Sequence, residues 1–457
     1  MDMKIKVTKS NFNNLIKNIK LNYTTVVTIL ICIVVVIIPI LFLPYIYNAT
    51  NQIKLTYFFT ILTSLVILAL KISEIIKLKK NGEKIDILKK SDSPFLNLCM
   101  SIYALLIVVS AITSAYFPFT LLHGAIGRFE GTITLYLYIL LFYLTYKFFK
   151  WQDKFLPYIA TSTIIVSCVG ILQAILCKSI QSLFGYEYMA TSSFGNPNFF
   201  SSYLTLFLPI YILVYLKNGN PFYLITSTIT FGALICTKTL GGYITFGIYI
   251  VIILAYAINK KYKFKNILLI IFSFICTFMI LNICTQYTYI KELASIRQEV
   301  KKAESSDKNE SNRFGSGRGY IYKISLDIIK KYPFLGIGPD ALGAYFMEHY
   351  YLEPDYTSNR LYDKAHSEYL QIAVCTGIPS LICYVCIIAT IGITMFKEFL
   401  KDTNNLKIFA VGVSCLSYLI QAISNISVTH VAPMFWIMLG VGYGMCKNNL
   451  YNREIEK

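Results

Sequence analysis

Runs of about 20 apolar residues recur along the whole chain, and each matches the ~30 Å hydrocarbon core of a bilayer. Twelve such segments stand near 23–47, 54–71, 96–118, 131–149, 157–177, 199–216, 221–237, 241–258, 266–284, 367–396, 406–424 and 428–446. The sequence is 56% hydrophobic and only 14% charged, which excludes an ordinary soluble domain. The first segment is longer than the apolar core of a signal peptide and lacks a small-residue cleavage site, so it reads as a retained span. The expected fold is an all-α integral membrane protein. Its parts are a cytoplasmic N-tail at 1–22, nine spans over 23–284, one large extracytoplasmic loop at 285–366, three spans over 367–446 and a cytoplasmic tail at 447–457.

The formal charge of +18 invites a polyanion partner, but its distribution assigns it to topology. With the N-tail inside, the inner loops and tails hold 26 Lys and Arg and the short outer loops hold 4; the large loop holds 12, offset by 11 acids. Such an excess of cations on one side orients a membrane protein with both termini in the cytoplasm. Nucleic acid is not an expected partner; the lipid bilayer is. Twelve cysteines lie mostly inside apolar runs. Cys383 and Cys386 form a C-x-x-C in mid-helix with no second ligand pair, so buried free thiols are expected, and neither a metal nor a cofactor.

The large loop has three parts. A charged stretch, Lys291 to Arg313, reads as a helix fraying into a polar tip. An amphipathic helix from Tyr320 to Lys331 follows, with Ile321, Ile324, Leu326, Ile328 and Ile329 at helical spacing and Pro333 as its stop. It either lies on the membrane surface or caps a cavity. Then comes a tight turn, Gly336-Ile337-Gly338-Pro339-Asp340, and a short aromatic helix to about Tyr351.

The spans contain almost no ionisable residues, whereas an ion-coupled transporter places charges along its path through the bilayer. All four histidines, and Arg128, Lys238, Arg313 and Arg318, fall instead on the expected outer side. Gly127-Arg128-Phe129-Glu130-Gly131 either offers a guanidinium fork to a phosphate or pairs Arg128 with Glu130. In Phe194-Gly195-Asn196-Pro197-Asn198, Asn198 either caps the next helix or hydrogen-bonds sugar hydroxyls. Lys238, in a short outer turn, either snorkels to lipid headgroups or contacts a diphosphate. Arg318, between Gly317 and Gly319, is expected at a helix N-terminus, where anions bind well. His366 ends the polar segment; an imidazole with an ordinary pKa near ~6.5 can serve as a base near neutral pH, and a merely solvated loop histidine is the alternative.

In this order these motifs resemble the O-antigen ligase and O-antigen polymerase superfamily of bacterial membrane glycosyltransferases. The resemblance runs from about Arg128 to Gly377. Its most specific parts are Phe194-Gly195-Asn196-Pro197-Asn198, Arg318 followed by Pro333 to Asp340, and Ala365-His366-Ser367-Glu368-Tyr369-Leu370-Gln371 with Thr376-Gly377. Ser367 stands where such proteins often carry Asn, and Leu240 where an Arg is usual. The resemblance implies a GT-C-like enzyme that takes a glycan from an undecaprenyl-diphosphate carrier and passes it, with inversion and without a metal, to a hydroxyl of a glycan, lipid or protein acceptor. It puts Arg318 on the diphosphate and His366 at the acceptor. Arg128, Lys238, Asn196, Asn198, Arg313 and Tyr369 complete the candidate substrate-binding set. Surface-polysaccharide ligation, polymerisation and protein O-glycosylation remain open, and a flippase of the same lipid-linked glycan is the rival reading.

Overall fold

The computed structural model describes residues 23–41, 93–149 without 119, 121 and 126, then 151–176, 189–291, 308–350 and 362–455, with scattered helical positions between 58 and 80. Side chains are described from 27 to 449 within those ranges, and in the helix that starts at 308 from 318 onward. Among the described residues there are helices and no strands. In chain order they are α1 (Tyr23–Cys32, continued by a π-turn at Ile33–Ile37 and a last turn at Ile38–Ile40), α2 (Pro94–Thr113), α3 (Thr132–Phe148), α4 (Phe155–Ile175), α5 (Pro197–Asn218), α6 (Pro221–Cys236) and α7 (Leu240–Asn259). Then follow α8 (Phe264–Cys284), α9 (Lys308–Lys331), α10 (Leu342–His349), α11 (Glu368–Thr376), α12 (Ile378–Lys401), α13 (Leu406–Gln421) and α14 (Ala432–Ile455).

Six of these, α2, α4, α5, α7, α8 and α12, are long and apolar enough to cross a membrane; α3, α6, α13 and the stretch Val27–Ile40 are shorter apolar helices. Their order in the bundle follows from burial. The apolar window of α5 is 94% buried, so this helix is the axis of the bundle, whereas that of α8 is 28% buried. The bare face of α8 carries Phe264, Leu268, Phe272, Ile275, Ile280 and Ile283, an apolar strip that lipid can cover and water cannot. α5 packs against α6, α7 and α13, α12 against α2, and α14 along α3. The last contact uses small residues: a side chain at Gly440 would meet Thr145 and the Phe142 carbonyl, and one at Gly444 the Tyr146 backbone. With no hydrophobic drive between helices in lipid, close backbone approach of this kind holds them together.

The expected span at 367–396 is two helices. Gly377 stands between α11 and α12 with φ 88°, a conformation that L-residues avoid, and a Cβ there would strike the Phe334 carbonyl. The break has a structural cause. The turn after α9 docks on the end of α11, with Ile337 N–H donating to the Val374 carbonyl (3.0 Å), Gly338 N–H to that of Cys375 (2.8 Å) and Ile378 N–H to that of Pro333 (2.8 Å). Irregular backbone is tolerated beside a membrane only when its polar groups are paired within the protein, and here they are. The two motifs Pro333–Asp340 and Thr376-Gly377 are therefore two halves of one joint.

The amphipathic helix is longer than its sequence pattern suggests: α9 begins at Lys308, so residues 308–313 are helical, while 292–307 lie outside the described residues. Of its apolar positions, Ile321, Ile324 and Ile328 are buried, whereas Leu326 is exposed. The buried three join Ile337, Leu342, Phe346 and Val374 in a second, smaller core. The helix thus packs on α10 and α11 and roofs the loop-rich end of the bundle. Gly377→Ala should lower the thermal midpoint of the detergent-solubilised protein, at a cost of about 1–3 kcal/mol from the left-handed backbone and the clash together. An unchanged midpoint would show that the joint does not depend on this glycine.

Candidate active site

At the roofed end, three segments distant in sequence meet on Lys364. Its ammonium is fully buried, 2.8 Å from Glu130 Oε2 and 2.7 Å from Asp340 Oδ1. Burial alone would push the lysine down, but the two carboxylates outweigh it and hold the ammonium above its ordinary pKa. Each carboxylate also ties down its own surroundings. Asp340 Oδ2 accepts the backbone N–H groups of Ala125 (2.8 Å) and Glu130 (3.2 Å). Glu130 Oε1 accepts the hydroxyls of Tyr138 (3.2 Å) and Ser427 (2.8 Å). The loop 123–131, the turn at 336–340 and the segment 362–367 are thereby locked together. Lys364, Glu130, Asp340, Glu368 and Gln371 line one side of a cavity of about 50 Å³, whose walls are otherwise mostly apolar, with Leu135, Ile372 and Trp436 among them.

Beside this lock, Arg128 makes a two-point contact with Asp363, Nε to Oδ2 at 2.6 Å and Nη2 to Oδ1 at 3.2 Å. Against the upward push of burial, Arg128 holds the Asp363 carboxyl below the usual carboxylate range. The sequence offered Glu130 as the partner of Arg128; the fold takes Glu130 for Lys364 instead. With its fork occupied, Arg128 is a clasp on the segment that carries His366, and its guanidinium carbon also lies 5.7 Å from the centre of the Phe199 ring.

His366 is presented on a left-handed backbone, φ 52°. Such a conformation in a non-glycine residue persists only where its surroundings over-determine it, as at functional sites. The surroundings here are the Arg128–Asp363 clasp, Lys364, the Tyr322 hydroxyl donating to the His366 carbonyl (3.2 Å), and Ser367, whose hydroxyl caps α11 by accepting the Leu370 N–H (3.5 Å). Burial, then the charges of Arg318 and Arg128, lower the His366 pKa to about 4, with Asp363 opposing. The ring is therefore neutral at physiological pH and able to accept a proton.

Arg318 stands on the eleventh residue of α9, well inside the helix. The expected placement at a helix N-terminus is corrected, and the helix dipole contributes nothing to anion binding there. The Arg318 guanidinium is largely buried, its pKa lowered by that burial. Among the described residues it faces no carboxylate, and its hydrogen bond is to Asn198 Oδ1 at 3.5 Å. Tyr322, one turn further along α9, meets the His366 backbone, so a single face of α9 serves both residues.

The remaining candidates divide. Asn196, not Asn198, caps α5, accepting the Asn198 N–H (2.8 Å) with Pro197 at the first helical position; this leaves the Asn198 side chain free to face Arg318. Lys238 lies on the left-handed turn between α6 and α7, near Cys236, and is not among the charges that act on His366. The Tyr369 hydroxyl donates to the Leu419 carbonyl (2.9 Å), an α11-to-α13 tie. Arg313 lies on α9 outside the residues whose side chains are described. Sequence reasoning missed Lys364, Asp363, Glu368, Asn425 and the role of Glu130. Glu368 is gripped by the hydroxyls of Tyr384 (2.6 Å) and Tyr418 (3.1 Å), and Asn425 donates to the Asn198 carbonyl (2.9 Å). The adjacent charges in Asp363-Lys364 beside His366 were the available signal. Among the described residues no group of three or more His, Cys, Asp or Glu could hold a metal ion.

Residues 225–385 match the family model described as O-antigen ligase, a stretch that contains α9, the joint at Gly377, Arg318 and His366. No curated protein matches the chain. The resemblance carried by the motifs is thus shown over that stretch, while Arg128, Glu130 and Asn198 lie before it.

Lys364→Met should lower the unfolding free energy by about 3–5 kcal/mol, because it leaves two buried carboxylates facing each other. Adding Glu130→Gln and Asp340→Asn should recover part of the loss in chemical denaturation; no recovery would mean that the lysine acts otherwise than by charge. Histidine-selective NMR should place the His366 midpoint near 4, and Arg318→Gln should raise it, since the removed cation disfavours imidazolium. A midpoint above about 6 in the parent protein would contradict the described electrostatics.

Proposed function

We propose that the chain is a multi-pass enzyme of the bacterial cytoplasmic membrane, acting at its outer face as an O-antigen ligase-type glycosyltransferase. The donor is a glycan on undecaprenyl diphosphate, and the acceptor is a hydroxyl of a surface polysaccharide, lipid or protein. Twelve spans with both termini inside, as the charge asymmetry indicates, put α9 to α11 on that face. The observation that carries the reading is Arg318: a largely buried guanidinium without a carboxylate partner among the described residues, beside a neutral histidine. A buried cation in that condition calls for an anion.

The chemistry follows from these two residues. The acceptor hydroxyl gives its proton to an imidazole nitrogen of His366 as its oxygen bonds to the anomeric carbon. The bond from that carbon to the diphosphate oxygen breaks in line on the opposite face, so the configuration inverts. Undecaprenyl diphosphate leaves with the electron pair, its added charge offset by Arg318 in a site where water screens little. Arg128, Lys364 and Glu130 hold the frame and do not contact substrate. The charge on the leaving group is met by the protein's own cation, so no resident metal is invoked.

Purified protein in nanodiscs, supplied with lipid-linked glycan from the producing cells and candidate acceptors, should form product. His366→Ala should reduce turnover by about 10²–10⁴-fold and Arg318→Ala by about 10²–10³-fold, with the fold intact. The acid limb of kcat/KM should fall near pH 4, where His366 of the free enzyme protonates, and not near 6.5. Transfer that survives both substitutions would refute the site, and translocation of the glycan without transfer would favour a flippase.

A further inference from the structure

One histidine is left over. His430 lies in the 422–431 connection between α13 and α14 and is only 4% exposed. Its ring sits between two phenyl rings, 6.1 Å from Phe194 and 6.3 Å from Phe199, centre to centre, and nearly parallel to the latter. Among the described residues neither ring nitrogen has a hydrogen-bond partner, and the neighbouring Thr429 hydroxyl, 1% exposed, also has none. An imidazole always carries at least one N–H, and leaving a buried donor or acceptor unpaired costs about 1–3 kcal/mol. A phenylalanine beside the same two rings would carry no such cost. Two groups adjacent in sequence thus keep hydrogen-bonding capacity that a polar ligand could use.

The location says which. Asn425, in the same connection, donates to the Asn198 carbonyl (2.9 Å) and to the Ser202 hydroxyl (2.7 Å), fastening the loop to the start of α5. The Asn198 side chain faces Arg318, and the next residue, Phe199, carries His430 against its ring. Arg128 is a charged neighbour of both His366 and His430. His430 is thus linked to Arg318 through the Asn198-Phe199 pair at the start of α5. A neutral imidazole and a threonine hydroxyl each offer a donor and an acceptor together. A diphosphate oxygen can only accept, whereas a sugar hydroxyl does both.

We propose that His430, with Thr429 beside it, binds hydroxyls of the sugar next to the diphosphate in the lipid-linked donor. The assignment rests on the glycosyltransferase reading above. Because the ring is covered, the 422–431 connection has to shift for the sugar to enter. His430 would be a specificity residue that takes no part in the proton transfer.

The test uses the full chain in nanodiscs and two probes, undecaprenyl diphosphate alone and undecaprenyl-diphosphate-linked glycan isolated from the producing cells. His430→Phe should raise the thermal midpoint, since it replaces orphaned polar atoms by an apolar ring. It should also weaken the glycan-bearing probe at least tenfold while leaving the bare diphosphate unchanged. In transfer assays KM for the donor should rise more than kcat falls, and His430→Gln, which keeps a donor and an acceptor, should restore part of the affinity. A stabilised His430→Phe with undiminished donor affinity would overturn the proposal. So would a destabilised one, which would show the nitrogens satisfied by buried water, or an equal loss for both probes, which would move the contact to the diphosphate. If the parent protein neither binds the glycan-bearing probe better than the bare one nor transfers the glycan, the functional reading itself fails.

Discussion

The buried ammonium of Lys364 is the point on which the loop-rich end of this molecule depends. One cation faces two carboxylates, one from the loop before α3 and one from the turn after α9, and its own segment continues directly into His366. Such a triad adds little net stability over a well-packed apolar core, since desolvation cancels much of the attraction. Its value is geometric. It can be satisfied in one arrangement only, and that arrangement brings three loops to within hydrogen-bond distance of one another, with the Arg128–Asp363 contact as a second fastening alongside. The cations near the site accordingly have opposite duties. Lys364 and Arg128 are consumed by the protein's own carboxylates, whereas Arg318 faces none among the described residues.

The apolar helices were legible in the sequence because they are written in long runs, which need no tertiary information. The motif at Ala365–Gln371 was legible too, as was the apolar stripe of Ile321, Ile324 and Ile328, which became the roof of the site. What the sequence hid depends on partners far along the chain. Nothing near Arg128 says that Asp363 will claim it, 235 residues later, or that Glu130 will turn away toward Lys364. The extension of α9 back to Lys308 runs against local propensity, because glycines at 315, 317 and 319 argue for a loop; it puts Arg318 on a helix body, where its direction is set by the helix face. The cap at Asn196 in place of Asn198 is a two-residue ambiguity that only backbone geometry resolves.

A division of labour between the two ends of the chemistry follows. On one side Arg318, Asn198 and the connection bearing His430 share α5 and α9 as their supports. On the other, His366 is held by the clasp and by the cap of α11. Both sides meet over Phe199, whose ring has Arg128 and His430 as neighbours. The register between the two groups is set mainly by backbone and buried charge.

The broken helix at Gly377 separates the long apolar α12 from the short α11. α12 meets the bilayer, whereas the nine residues of α11 are anchored by backbone carbonyls to the turn at 333–338 and by Glu368 to two tyrosines. Because the anchoring atoms at the joint are main-chain, they are indifferent to most side-chain changes around them. The joint can therefore hold α11, and with it the His366 backbone, in place while side chains around it change. The break acts as a firewall between the apolar helix bundle and the loop-rich end that carries His366.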